Sequence, residues 1–179
     1  MNLGSAAYVI LGMLSFAPQS GYDIKNLVDV STRHFWTISY GQIYPELRRL
    51  EEQGLVAAEK PVGGRRRTVY RLTQKGRAAL SSWLRDRSAA GFEVRDELLL
   101  KLFFADQLPP EEVLALLRMM RARHESTRAG LEKTEPFARE MQHPLPYLVL
   151  RFGIEFHGWV AAWCERAERS LKRGVVTNV

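Results

Sequence analysis

A single cysteine, Cys164, excludes any disulfide within the chain and fits a reducing compartment. It lies between Trp163 and Glu165 in a helical pattern, which suits a buried structural thiol better than a reactive one. No stretch approaches the ~20 consecutive apolar residues that a membrane-spanning helix needs. The first residues also lack the basic lead of a signal peptide. A soluble, cytoplasmic protein with no membrane partner is expected. Catalytic motifs are missing as well: no glycine-rich phosphate loop, no G-x-S-x-G, no H-E-x-x-H. Glu51-Glu52 and Asp96-Glu97 are sequence neighbours that point apart on a helix, so they make poor acid–base pairs. His124 and His143 stand alone, with no Cys or His at metal-ligand spacing. Neither an enzyme, nor a metal site, nor a cofactor is expected. Internal repeats and low-complexity segments are absent too.

What the chain does have is an uneven charge. Its 179 residues carry a net +6. Residues 1–90 hold 13 Lys/Arg against 7 Asp/Glu, whereas residues 91–179 hold 13 against 13. The whole excess therefore lies in the first half, as a polyanion-binding module requires. Apolar content of 46% and four tryptophans indicate a folded chain.

Within the basic half, Ser39 and Gln42 have capping-box spacing, which predicts a helix starting at Tyr40. Ile43, Leu47 and Leu50 then recur at helical spacing and form one apolar stripe. The opposite face carries Tyr40, Gln42, Tyr44, Arg48 and Arg49, side chains able to bond bases or phosphates. Pro45 removes a backbone donor inside this helix and crowds the carbonyl of Gly41, so a bend or a tightened first turn is expected. Gly54 supplies a left-handed stop, and Leu55-Val56 opens a strand. Pro61-Val-Gly-Gly64 and Arg65-Arg66-Arg67 follow, then a second strand from Thr68 to Leu72, then Thr73 as the cap of another helix. Helix, two strands and an arginine-crowded tip, in that order, describe the recognition helix and wing of a winged helix-turn-helix.

Before this stretch, Ala6 to Leu14 reads as a short apolar helix with Ala6, Ile10, Met13 and Leu14 on one side. Ser20-Gly-Tyr-Asp23 caps a second helix, with Ile24, Leu27 and Val28 inward and Lys25 outward. Phe35, Trp36 and Ile38, in the turn over residues 31–38, are expected to plug the core. After it, the helix begun at Thr73 runs through Leu80, Trp83 and Leu84. Ala89-Ala90-Gly91 marks a boundary between a winged domain, 1–90, and a helical dimerisation or effector domain, 91–179. The second half reads as three helices. The first covers Val94 to Gln107. The second starts at Pro109-Pro110 and shows its stripe at Val113, Leu117, Met120, His124, Thr127 and Leu131. Residues 134–146, with three prolines, form a connection, and the last helix runs from about Tyr147 to Lys172. Its first half is apolar nearly all round, so it needs something to cover its second face. The same helices of a second subunit are the economical cover.

These residues resemble a PadR-family transcriptional regulator. The similarity is carried by Tyr8-Val-Ile-Leu-Gly-Met-Leu14, Ser20-Gly-Tyr-Asp-Ile24, Gly41-Gln-Ile-Tyr-Pro-Glu-Leu-Arg-Arg-Leu50, the arginine-tipped wing and Tyr70-Arg-Leu-Thr-Gln-Lys-Gly76. The second half, from Asp96-Glu-Leu-Leu-Leu-Lys-Leu-Phe-Phe104 onward, is similar to a virulence-activator-alpha-like C-terminal domain. The resemblance implies a mainly α fold with a β-hairpin wing, and a homodimer joined through its C-terminal helices. It further implies a repressor of a palindromic double-stranded operator, often released by a small aromatic effector.

The candidate DNA-contacting residues are Ser39, Tyr40, Gln42, Tyr44, Arg48, Arg49, Arg65, Arg66, Arg67 and Lys25. Tyr40, Gln42 and Tyr44 are open to base readout or to phosphate contact, and the arginines are read as phosphate contacts. Phe104, Phe152, Phe156 and His157 are the candidates for an effector site, with His157 or Arg151 meeting a carboxylate. Aromatics at this spacing also suit plain core or dimer interface, and His157 suits a bond to a buried carbonyl. Leu148, Phe152, Trp159 and Trp163 are the candidate dimer contacts. The competing class is a winged-helix protein-interaction module without DNA binding, which the charge split opposes.

Overall fold

The computed structural model describes residues 3–59, 67–88, 95–140 and 144–174. The chain divides into two compact units, Met1–Ala90 and Gly91–Val179. In the first, α1 (Ser5–Phe16), α2 (Gly21–Val30), α3 (Tyr40–Glu52) and α4 (Gln74–Arg85) surround one apolar core. A three-stranded antiparallel sheet completes it: β1 (Gln19–Ser20), β2 (Val56–Glu59) and β3 (Val69–Leu72), in the order β1-β3-β2. The register pairs Val56 with Leu72 and Gln19 with Tyr70. The two-residue β1 has no counterpart in the sequence reading, because two residues carry no alternation to detect. The core is Ile10, Leu11 and Leu14 of α1, Ile24 and Val28 of α2, and Ile43, Leu47 and Leu50 of α3, closed by Leu55, Val56 and Leu72.

Local chemistry explains where these elements begin. Ser20 caps α2, its hydroxyl accepting from the Asp23 N–H at 3.3 Å while the Asp23 carboxylate accepts from the Ser20 N–H at 3.1 Å. The Ser20 hydroxyl also donates to that carboxylate at 2.6 Å, and this bond, with that from the Ser20 N–H, holds the Asp23 carboxyl below its ordinary range. At α3 the Gln42 side chain accepts from the Ser39 N–H at 3.0 Å. The Ser39 carbonyl accepts from both Gln42 and Ile43, which is a tightened first turn, and the helix then continues through Pro45. Gly54 ends the approach to β2 at φ 69°.

Two expectations need correction here. Phe35 and Trp36 do not plug the core: they are 53% and 45% exposed, and only Ile38 of that turn is buried. Lys25 is not simply outward. It is half-buried, ion-paired with Asp29 one turn along α2. The helix through Leu80, Trp83 and Leu84 is α4, with Trp83 and Leu84 on its exposed side and Trp83 stacking on Tyr8 at 4.6 Å between ring centroids.

The corner at the end of α3 is tied to the start of α4. Thr73 Oγ1 donates to the carbonyls of Gly54 and Leu55, its N–H donates to Leu55, and Lys75 Nζ donates to Gln53. Thr73 Oγ1 also accepts from the Gly76 N–H at 3.0 Å, capping α4. The fit leaves no room at Gly76, where an added Cβ would overlap the Leu55 carbonyl oxygen.

The second unit contains α5 (Glu97–Phe103), a 3-10 turn (Ala105–Gln107), α6 (Pro110–Glu140) and α7 (Pro144–Lys172). Asp96 caps α5 through the N–H groups of Leu98 and Leu99. The long helix does not stop near residue 133. It runs on through Pro136 to Glu140, so much of the expected connection over 134–146 is helix. Contacts link rising positions on α6 to falling ones on α7: Arg118 to Glu168, Arg121 to Glu165, Glu135 to Arg151. The two helices are therefore antiparallel. Between them lie Met120, Val160 and Cys164, with Trp163 and Leu98 against them. Burial pushes the Cys164 thiol up, away from a reactive thiolate.

His124 is not isolated. Its Nδ1 lies 2.8 Å from Nδ1 of His157, 33 positions along the chain, and its Nε2 faces Asp96 at 3.9 Å. A hydrogen bond between two Nδ1 atoms needs one to donate and one to accept, so the pair requires at least one neutral ring.

Two outcomes follow from this packing. Gly76→Ala should destabilise the first unit by about 3 kcal/mol, the upper range for overpacking, because a backbone carbonyl rather than a flexible side chain must yield. Urea denaturation followed by circular dichroism measures it. Stability should also depend on pH with a defined sign. Burial lowers the pKa of His124, as it does that of His34 in the first unit. The unfolded chain takes up protons near the ordinary value of about 6.5, where the folded rings resist them. The urea midpoint should be level from pH 8 to 7 and fall as pH drops below about 6.5. His124→Gln should flatten part of that fall.

Candidate nucleic-acid interface

The face of α3 turned away from the core carries Tyr40, Gln42, Tyr44 and Arg48, all exposed. Their placement follows from the burial of Ile43, Leu47 and Leu50, which leaves the intervening positions outward. Arg48 makes no ion pair among the described residues. Arg49 differs: it is bound to Glu46 on the same helix, Nη2 at 2.6 Å and Nε at 3.0 Å, and that carboxylate raises its pKa further. A phosphate would have to compete with Glu46 for Arg49. Ser39 and Gln42 are exposed but bonded to each other in the cap, which leaves the Gln42 amide N–H groups available.

Three tyrosines form a ladder across the front of this unit. Tyr22 of α2 stacks on Tyr40 at 6.4 Å and 14°, and Tyr40 on Tyr44 at 6.2 Å and 18°. The close approach of α3 to α2 is possible because position 21 is glycine: a Cβ there would lie 2.8 Å from the Tyr44 ring. Cations border the ladder. Arg67, just before β3, places its guanidinium 3.9 Å from the centre of the Tyr22 ring, and Lys25 Nζ lies 5.9 Å from that of Tyr40. Of the arginine run, Arg67 is described here, and Arg65 and Arg66 lie outside the described residues. The sequence reading missed Tyr22. Its signal was available, since the inward set Ile24, Leu27 and Val28 forces position 22 outward.

In the second unit, Leu148, Phe152 and Trp159 lie on the exposed side of α7, with Leu145, Val149 and Phe156 continuing the stripe. Leu148 is 64% and Trp159 60% exposed. Trp163 is instead partly buried on the Met120–Cys164 cluster of its own chain. Of the effector candidates, Phe152, Phe156 and His157 come together: Phe152 stacks on Phe156 at 6.1 Å, and Phe156 meets His157 edge-on at 5.4 Å. His124 joins this group, 6.3 Å from Phe156. Phe104 lies against Phe103 at 5.0 Å. Arg151 is engaged by Glu135 and Glu155, both at 3.1 Å. No group of three or more His, Cys, Asp or Glu side chains suited to a metal ion occurs among the described residues.

Comparison with known proteins agrees with this geometry. Residues 10–82 match the model of the transcriptional regulator PadR-like family, and residues 94–172 match that of the virulence activator alpha C-terminal domain. The negative transcriptional regulator PadR of Bacillus subtilis is 30% identical over 168 residues, covering 88% of this chain and 92% of that protein. The structure of Bacillus subtilis PadR in complex with operator DNA superposes with a TM-score of 0.83 at 27% identity, covering 92% of this chain and 98% of that one. The same protein in complex with p-coumaric acid gives 0.77 at 25% identity, covering 96% and 99%. With both halves matched and the relative aligned over nearly its whole length, the chain belongs to the PadR family of transcriptional regulators.

Proposed function

We propose that this protein is a cytoplasmic, homodimeric repressor that binds a palindromic operator through α3 and the wing, and that a small aromatic acid releases it. One observation carries the reading: Tyr40, Tyr44, Gln42 and Arg48 form one exposed face beside Arg67, in the half that holds all of the net positive charge. Phosphate contacts supply affinity and base edges supply sequence, and this face offers groups of both kinds. The Bacillus subtilis relative is a negative regulator solved on operator DNA, which supports repression as the outcome. Among the described residues no helix is long and apolar enough to cross a membrane.

The homodimer is supported by the outward stripe of α7. Leu148, Phe152, Phe156 and Trp159 leave a continuous apolar face in a single chain, and a twofold contact would cover it twice. In such a dimer the two recognition helices address half-sites about one DNA turn, roughly 34 Å, apart. For the effector, the group Phe152, Phe156, His157 and His124 supplies apolar ring faces beside two imidazoles bonded to each other, a setting suited to a small aromatic ring. The p-coumaric acid complex of the relative makes that acid the first probe. A hundredfold preference for one arrangement of the dimer, about 2.7 kcal/mol, suffices for a responsive repressor.

The tests separate these claims. Arg48→Ala should weaken all duplexes similarly and reduce the salt slope of binding by about one unit, whereas Arg49→Ala should do less because Glu46 already occupies Arg49. Unchanged slopes for Arg48→Ala and Arg67→Ala together would remove the phosphate assignment. Trp159→Glu should weaken the dimer about thirtyfold or more, read by sedimentation, as for a central aromatic anchor. A well-folded monomer of the unmodified protein would dismiss the dimer. For the effector, p-coumaric acid is titrated while DNA anisotropy is followed; tight binding that leaves DNA affinity unchanged would refute the coupling.

A further inference from the structure

The Arg67 guanidinium rests on the ring of Tyr22, a residue of α2 rather than of the recognition helix or the wing. We propose that Tyr22 is a positioning residue for DNA binding: its ring holds Arg67 oriented at the base of the wing, in register with the face of α3. The proposal rests on the reading of that face and the wing as the DNA-contacting surface.

The geometry supports it in three ways. A centroid distance of 3.9 Å is a close stack, well inside the ~6 Å reach of a cation–π contact. A guanidinium stacked on a ring by its flat face keeps its N–H edge for a phosphate, the edge that grips in bidentate fashion. Tyr22 is itself fixed, because it stacks on Tyr40, and Tyr40 on Tyr44. Through this ladder the orientation of a wing arginine is tied to the first turns of α3. The Asp23 carboxylate adds to the hold: it is bound in the Ser20 cap, and its charge attracts Arg67. An unrestrained arginine loses much rotamer freedom when it binds, and a stacked one has already lost it in the free protein.

The alternative role for Tyr22 is a direct contact through its hydroxyl, and the two are separable. Binding to a fluorescein-labelled random-sequence duplex is followed by anisotropy for the unmodified chain, Tyr22→Phe, Tyr22→Leu, Arg67→Ala and the double variant Tyr22→Leu/Arg67→Ala. Tyr22→Phe keeps the ring and should bind as the unmodified protein does. Tyr22→Leu should bind about fivefold more weakly, the scale of an exposed cation–π contact. In the Arg67→Ala background, Tyr22→Leu should cost nothing further. A full Tyr22→Leu loss persisting in that background would overturn the proposal, and so would a Tyr22→Phe variant as weak as Tyr22→Leu. A second readout needs no DNA. The ring current of Tyr22 should shift the Arg67 side-chain protons upfield in the free protein, in Tyr22→Phe too, and not in Tyr22→Leu. An unmodified protein without that shift has no stack, and the proposal falls. Failure of the unmodified chain to bind any duplex would overturn the DNA reading and the proposal together, whereas additive losses overturn the proposal alone.

Discussion

Each end of α3 meets a neighbour at a glycine, where an added Cβ would need that neighbour to move. Near its start, the Tyr44 ring lies over Gly21 at the first residue of α2. Beyond its end, the Leu55 carbonyl fills the space where Gly76 has no side chain, and Thr73 and Lys75 bond the carbonyls of Gln53, Gly54 and Leu55. Between these two points Ile43, Leu47 and Leu50 are fully buried. Apolar burial fixes which face of α3 looks inward; the bonded corner at Gln53–Leu55, with the Leu55 carbonyl against Gly76, fixes where along its axis the helix ends. If this face meets DNA as proposed, matching the spacing of phosphates needs both.

The two units rely on different forces. In the first, Lys25, Arg49 and Arg71 are paired with carboxylates of the same unit, and it is the net positive excess that remains available to a partner. In the second, charges of both signs are spent on one another, along α6 and α7 and between them. Such exposed pairs contribute about 0–1 kcal/mol each, so they align the helices more than they bind them. The apolar contact of Met120 and Val160 with Cys164 carries more of the load. That seam takes one side of α7, and its other side keeps large apolar groups on the surface.

Much of the first unit was legible because its signals are local. The stripe of α3, the cap pairs Ser20–Asp23 and Ser39–Gln42, and the Gly54 stop each lie within a few residues and have one physical meaning. Phe35 and Trp36 were misread because apolarity alone does not say which way a turn residue points. Pro136 falls within the stretch 134–146 whose prolines suggest a connection, yet it lies in the last part of α6, whose end is tied to α7 by Glu135 through Tyr147 and Arg151. The meeting of His124 with His157 was invisible for another reason. It depends on the antiparallel register of two long helices, and spacing along one chain does not encode that. The tyrosine ladder lies between these cases, since Tyr40 and Tyr44 show on one helix while Tyr22 joins only once α2 is packed.

Phe152 and Phe156 belong to two proposals at once, and the overlap has a thermodynamic consequence. They lie on the outward stripe of α7 and also form, with His157 and His124, the aromatic group proposed for the effector. A ligand at this group touches the helix face that a second subunit would cover. Its binding free energy and that of dimerisation are then linked: whichever event is favoured by the other must favour it in return, by the same factor. A ligand that filled space left beside Phe156 would tighten the dimer while changing its angle. One that displaced Phe152 from the subunit contact would loosen it. Both routes alter the distance between recognition helices, yet only the second makes DNA release depend on protein concentration. The concentration dependence of release therefore distinguishes a change of angle from a change of assembly.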